Sequence, residues 1–241
     1  MKKFLFVILI FTQIGTALGQ SGGRPSPGEP YLGEPSPGRP SQWKLVAEKG
    51  DIKVYNRLVP GSKVKALKAE CVLNARVEEV VDLLLDIPAA TKWVCHAKSC
   101  TILRKVSDRE VFYYTEVSLP WPLDNRDFVT NLTISENPLT KVVTVEAPAV
   151  PGFLPEKKGL VRIKKSVSTW TITPVATEKV KVEYTLQVDP GGAIPAHIVN
   201  LFACQGPIET FTNMKKELQL RQAKSAEKDF GSLLSGTAAK F

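Results

Sequence analysis

Residues 119–129 read LPWPLDNRDFV, and this stretch decides how the chain on either side of it folds. Pro120 and Pro122 fix φ and remove two ladder donors around Trp121, so a strand arriving at Leu119 has to stop. Asp124 and Asn125 are turn formers. Arg126-Asp127 then leads into an apolar β-type run. The stretch is a strand end, a rigid corner and the start of a second strand.

Working outward, residues 52–59 (IKVYNRLV) and 64–73 (VKALKAECVL) read as two strands joined at Pro60-Gly61. An amphipathic helix follows, with Val77, Val80, Val81, Leu84 and Leu85 at the 3.6-residue period and Glu78, Glu79 and Asp82 opposite. Pro88 ends it, and a short helical piece carries Trp93. Residues 100–188 are β-rich. Their clearest strand is 180–188, where Val180, Val182, Tyr184, Leu186 and Val188 alternate with Lys181, Glu183, Thr185 and Gln187. That alternation buries one face and wets the other, as in an antiparallel sheet. After the turn Asp189-Pro190-Gly191-Gly192, a helical pattern runs over 195–222, with Leu201, Cys204, Ile208, Phe211 and Leu218 on one face. Pro207 lies inside this pattern and predicts a kink. Residues 225–241 read as a frayed tail.

The chain has 241 residues, 43% of them hydrophobic, enough for one sizeable core. Net charge is +8, or +6 without the two leader lysines. The lysines come as scattered pairs without aromatic interleaving, which reads as solvated faces and gives no nucleic-acid tract. Residues 1–19 read as a signal peptide: Lys2 and Lys3, an apolar run over 4–11, then Ala17-Leu18-Gly19 as a small-x-small cleavage site. The apolar run is too short for a comfortable membrane span. The expected location is therefore exported, periplasmic or extracellular. Residues 20–42 are Pro, Gly, Ser and Glu with a degenerate hexad, PSPGEP then PSPGRP, and read as a spacer or a docking tail. At roughly 3 Å per residue the segment reaches on the order of 60 Å. The folded domain is expected over 43–224.

Export changes the reading of the four cysteines. Cys95 and Cys100 flank His96 closely enough for a small loop disulfide. Cys71 and Cys204 fall on inward faces and are open to pairing or to remaining buried thiols. Two histidines and no C-x-x-C pair supply no metal set, and no cofactor motif is present.

With the corner in place, the chain resembles the steroidogenic acute regulatory-related lipid-transfer (START) domain family, and its bacterial-type members most. The resemblance rests on the P-W-P corner with R-D-F-V, on the opening W-x-L…D-I-K-V-Y (Trp43, Leu45, Asp51 to Tyr55), on D-P-G-G-x-I-P…N (Asp189 to Asn200), and on Gly206-Pro207. It implies an α+β helix-grip fold, a curved antiparallel sheet wrapped around a long C-terminal helix with an apolar tunnel between them. It also implies a gating loop, matched here by residues 147–159 (APAVPGFLPEKKG). There Val150, Phe153 and Leu154 are either a lid or ordinary loop anchors. Sterol-carrying members resemble one another in an interior Glu–Arg pair. Glu116 matches the acidic position, on a face shared with Phe112 and Tyr114. Leu132, beside Phe128 and Thr130, stands where the arginine belongs. Glu116 is then either buried and bonded to a ligand hydroxyl or turned to solvent.

The tunnel lining expected from these readings is Trp93, Phe112, Tyr114, Glu116, Phe128, Leu132, Val150, Phe153, Leu154, Val161, Ile163, Tyr184, Leu201, Cys204, Ile208 and Phe211. The implied function is binding, and transfer, of a lipid or other apolar small molecule, with a membrane surface as transient partner. Two other classes stay open. A helix-grip enzyme needs paired titratable groups, for which only His96 and His197 present themselves. A cell-envelope interaction module would have a filled core.

Overall fold

The computed structural model describes residues 42–62, 64–121, 123–192, 194, 199 and 205–237, with side chains on the last helix as far as Lys228. The leader, the Pro-rich stretch as far as residue 41, His197, Leu201 and Cys204 lie outside the described residues.

Strands β1 (Lys44–Lys49) and β2 (Ile52–Arg57) form a hairpin around Gly50, whose φ of 62° suits a residue without Cβ. Strand β3 (Ala66–Leu73) leads to helix α1 (Val77–Leu85). The Arg76 backbone N–H donates to Glu79 Oε2 at 2.7 Å, fixing where α1 begins. A 3-10 turn (Ile87–Ala89), with Pro88 in it, separates α1 from the single turn α2 (Ala90–Trp93). Then come β4 (Ala97–Ser107), β5 (Glu110–Val117), β6 (Arg126–Glu136), β7 (Val143–Pro148), the short β8 (Val161–Arg162), β9 (Lys165–Ala176) and β10 (Lys179–Asp189). Helix α3 (Gln205–Thr237) closes the described chain.

The strands form one antiparallel sheet in the order β1-β2-β3-β10-β9-β7-β6-β5-β4, with β8 added parallel to β6. Strand β10 therefore joins the first hairpin region to the rest. The α+β expectation and the curved sheet gripping a C-terminal helix both hold.

The alternation read in β10 is the one observed. Val182 sits opposite Cys71 on β3 and Ile172 on β9, and Tyr184 opposite Ala69 and Trp170. On this face α3 lays Phe211, Met214 and Leu218. Val182, Ile172, Phe211 and Met214 have no solvent exposure. Each such side chain contributes about 1.5–3 kcal/mol by leaving water. The other face carries Lys181 and Glu70, paired at 3.2 Å.

One expectation about the last helix is corrected. The helix runs to Thr237 instead of fraying after Lys224, since the Ala-Lys-Ser-Ala-Glu-Lys run is made largely of good helix formers. The kink read at Pro207 depends on residues 200–204, which lie outside the described residues.

Candidate functional site

The β5–β6 corner is built by side-chain and backbone bonds that its composition makes possible. The Asn125 side-chain oxygen accepts from the Leu119 N–H at 3.2 Å, and Pro120 C=O accepts from the Leu123 N–H at 3.0 Å. Arg126 is buried and ties this corner to the turn after β10. Its guanidinium donates to the carbonyls of Asp124 and, at 3.4 Å, Gly191. Gly191 and Gly192 both have φ of 65°, and a Cβ on Gly191 would stand 3.3 Å from the Val161 side chain. The turn therefore requires glycine twice, for backbone and for space.

Between this corner, β10 and the start of α3 lies a cavity of about 330 Å³. Leu67, Trp170, Tyr184, Leu186 and Val188 supply the sheet side, and Val117, Leu119, Pro120 and Leu123 the corner side. Val94, Cys95 and His96 come from the α2–β4 turn, and Gly206, Pro207 and Thr210 from α3. Pro190, Ile194 and Val199 complete the described wall, in which no Asp, Glu, Lys or Arg takes part. The inner end is aromatic. Trp170 lies 4.3 Å from Tyr184, 5.7 Å from Phe211 and 5.9 Å from Trp93, between ring centroids. Beyond these rings the space between sheet and helix is filled by Met214, Leu218, Ile172 and Val182. Burial pushes the Tyr184 hydroxyl pKa up, and the neighbouring Tyr113 up to about 12, so both stay neutral.

The turn carrying Cys95 is fastened to α3. The Cys95 N–H donates to Thr210 Oγ1 at 3.1 Å, and the thiol donates to Glu209 Oε2 at 3.3 Å. Burial, and then Glu209, push this thiol pKa up to about 12. Cys71, Cys95 and Cys100 are free, so the expected Cys95–Cys100 disulfide is not formed. The reason is local: His96 takes a left-handed φ of 62°, Cys95 turns to α3, and Cys100 turns to Thr115 at 3.6 Å.

Among the described residues expected to line a tunnel, Tyr184 alone lines the cavity. Trp93, Leu132 and Phe211 are solid core, with Ile208 packed beside them, and Ile163 is buried next to β6. Phe128 is half-buried opposite Thr115, and Val161 lies against Gly191. Phe112, Tyr114 and Glu116 occupy the opposite face of β5 from the one expected. Val111, Tyr113, Thr115 and Val117 face inward, in register with Leu132, Thr130, Phe128 and Arg126. Glu116 pairs with Lys98 at 2.6 Å, on the side away from α3. A single-residue change of parity moves every side chain of a strand to the other face.

That outer face is covered by the segment expected to gate the tunnel. Phe153 stacks on Phe112 with ring centroids 4.8 Å apart, Lys157 sits 3.9 Å over the Tyr114 ring, and the Val150 N–H donates to Val129 C=O. Arg162 donates to the carbonyls of Leu154 and Pro155 at 2.8 and 3.0 Å. Val150, Phe153 and Leu154 thus hold a cover over the sheet, and none of them lines the described cavity wall. The missed wall residues had a signal. Leu186 and Val188 continue the inward row through Tyr184, and Leu119, Pro120 and Leu123 are apolar residues of the corner itself.

The START domain family matches residues 38–224 of this chain. An uncharacterized protein of Pseudomonas aeruginosa is 31% identical over 179 residues, covering 74% of this chain and 88% of that one. The phosphatidylcholine transfer protein of Rattus norvegicus is 28% identical, over 74% of this chain and 85% of its own. Among solved structures, a STAR-related lipid transfer protein from Xanthomonas axonopodis superimposes with a TM-score of 0.69 at 34% identity. It covers 73% of this chain and 98% of that one. The chain belongs to the START domain family.

Proposed function

We propose that the protein binds a lipid or other apolar small molecule in the cavity at the start of α3 and carries it to or from a membrane surface. The reading rests on the cavity of about 330 Å³, whose described wall is largely apolar and has no Asp, Glu, Lys or Arg. Among the described wall residues His96 is the one imidazole, and no carboxylate or lysine stands with it there, so binding without chemistry is the reading adopted. Relatives named for lipid transfer support the reading.

The energetics suffice without chemistry. Each methylene removed from water contributes about 0.8 kcal/mol, so a tail of about ten is worth on the order of 8 kcal/mol, the scale of micromolar binding. Entry is between the 118–125 corner and the start of α3, the two walls flanking the mouth, with that corner and helix moving apart at the membrane. The leader reading makes the compartment periplasmic or extracellular.

The test is uptake of the neutral fluorophore N-phenyl-1-naphthylamine by the purified protein, read by emission and by native mass spectrometry. One molecule per chain, bound saturably and lost in a Leu186→Arg variant that melts normally, is the expected result. No saturable uptake overturns the reading.

A further inference from the structure

We infer that the cargo is a single-tailed amphiphile, held with its one chain inside and its head at the mouth, and not a two-tailed phospholipid. This rests on the lipid-binding reading above and names the class of lipid.

The first argument is volume. A methylene displaces about as much as a water molecule, roughly 30 Å³, so a cavity of about 330 Å³ holds on the order of ten of them. That is one medium-length chain. A second chain has to go somewhere else.

The second argument is that the interior offers no such place. Trp170 with Tyr184 stops the cavity, and Phe211 and Trp93 stand against Trp170. Behind them Phe211, Met214, Ile172 and Val182 have no exposure at all. Opening room there means pulling α3 off the sheet against several buried side chains, each about 1.5–3 kcal/mol. The far half of α3 is also tied down. Arg221 pairs with Asp86 at 2.6 Å, Gln222 donates to Asn74 C=O at 3.1 Å, and Lys215 is bonded to Asp51. Among the described residues the deep sheet–helix interior is thus closed by packing and by ties. The groove beside Asp51, Asn74, Lys179, Lys215 and Gln222 at that end is lined by charged and amide side chains, and the apolar space is the one near Gly206 and Pro207.

The third argument concerns the head. The described wall has no Asp, Glu, Lys or Arg, so a charged or zwitterionic head drawn inside finds no ionic partner. Of the polar wall groups, the Tyr184 hydroxyl on β10 is bonded to Ser168, and His96, Thr210 and Cys95 belong to the α2–β4 turn and the first turns of α3. Cys95 and Thr210 are already engaged, with each other through the Cys95 N–H and with Glu209 through the thiol. A head therefore stays at the mouth, in water.

The experiment is competition against bound N-phenyl-1-naphthylamine by lauric acid and by dilauroyl phosphatidylcholine, with native mass spectrometry counting each. Laurate displacing the fluorophore one per chain, with the phospholipid weaker by about tenfold or more, is expected. A Leu186→Trp variant, which fills the cavity and melts like the parent, should lose laurate by a similar factor. Phospholipid bound one per chain as tightly as laurate overturns this inference and leaves lipid binding intact. Fluorophore bound but displaced by neither lipid also overturns it. Failure to bind the fluorophore at all removes the lipid-binding reading itself.

Discussion

Arg162 grips Asp127 through two parallel bonds, Nε to Oδ1 at 2.7 Å and Nη2 to Oδ2 at 2.9 Å, and neither side chain reaches solvent. The same guanidinium also donates to backbone carbonyls of the 150–155 segment, so one buried pair fastens a long loop to β6. Removing one partner strands the other charge in the interior. Asp127→Asn or Arg162→Met is expected to cost about 3–5 kcal/mol, measured by urea unfolding. A double replacement by apolar residues of similar volume should cost less than either single change. If the single variants unfold like the parent, the pair is not the fastening.

The same pair sets an acid limit. The Arg162 hydrogen bond holds the Asp127 carboxyl below its ordinary value despite burial. In acid the unfolded chain binds a proton at this carboxyl before the folded one does, so stability rises with pH across that window. The contribution is complete above the ordinary aspartate range, near pH 4, and is lost as pH falls through the folded value. Melting temperature followed from pH 6 downward (about the carboxylate range) should fall more steeply in the parent than in the Asp127→Asn variant.

Alkali acts through groups shifted the other way. Burial raises the thiols of Cys71 and Cys95 and the Tyr113 hydroxyl, each to about 12. Unfolded thiols ionise at about 8.5, so above that pH the unfolded state releases protons that the folded state keeps. Their contribution is full below the unfolded values and disappears as pH rises through the folded ones. At pH 8 (close to a free thiol's own pKa) Cys95 should alkylate far more slowly than a small-molecule thiol. Glu209→Ala should speed it, because one of the causes of its raised pKa is gone. Equal rates in parent and variant would dismiss the Cys95–Glu209 contact.

Why the sequence spoke clearly in some places and not in others can be traced to particular residues. In β10 the inward row is apolar and the outward row carries Lys181 and Glu183, so parity is written twice and the face was legible. In β5 the run Val111-Phe112-Tyr113-Tyr114 is apolar or aromatic on both rows, because both sides are covered. Periodicity carries no sign in such a strand. What covers the outer side is a loop held by Arg162 to an aspartate 35 residues earlier, and no local pattern announces a contact of that span. The corner at 118–125 was legible as a corner from Pro120 and Asn125. Its role as a wall depends on where β10 and α3 end in space, which only the fold supplies.

The position of Phe153 separates a cover from a lid. Its ring is sandwiched with Phe112, and the Arg104 guanidinium lies 4.5 and 5.3 Å from the two ring centroids. Such an aromatic pair is worth about 0.5–1.5 kcal/mol beyond its buried area. Phe153→Ala is expected to lower stability by about 1–2 kcal/mol and to expose the 150–160 segment to limited proteolysis. Uptake of N-phenyl-1-naphthylamine should keep the parent's rate and affinity. A changed uptake rate would return this loop to a gating role.

Trp121 stands 93% exposed at the tip of the corner whose other apolar residues, Leu119 and Leu123, face the cavity. An indole this exposed is free to be covered by a partner, and the bilayer interface is where tryptophan is enriched. Pro120 before it stiffens the tip, so little order is lost when it inserts. Trp121→Ser is therefore expected to weaken co-sedimentation with phospholipid vesicles about tenfold, the scale of about 1.4 kcal/mol from one interfacial ring. Melting temperature and affinity for the soluble fluorophore should stay at the parent's values, because the ring touches neither core nor cavity wall. Unchanged vesicle binding would mean that the corner is not the membrane-facing edge, and that guests enter from elsewhere.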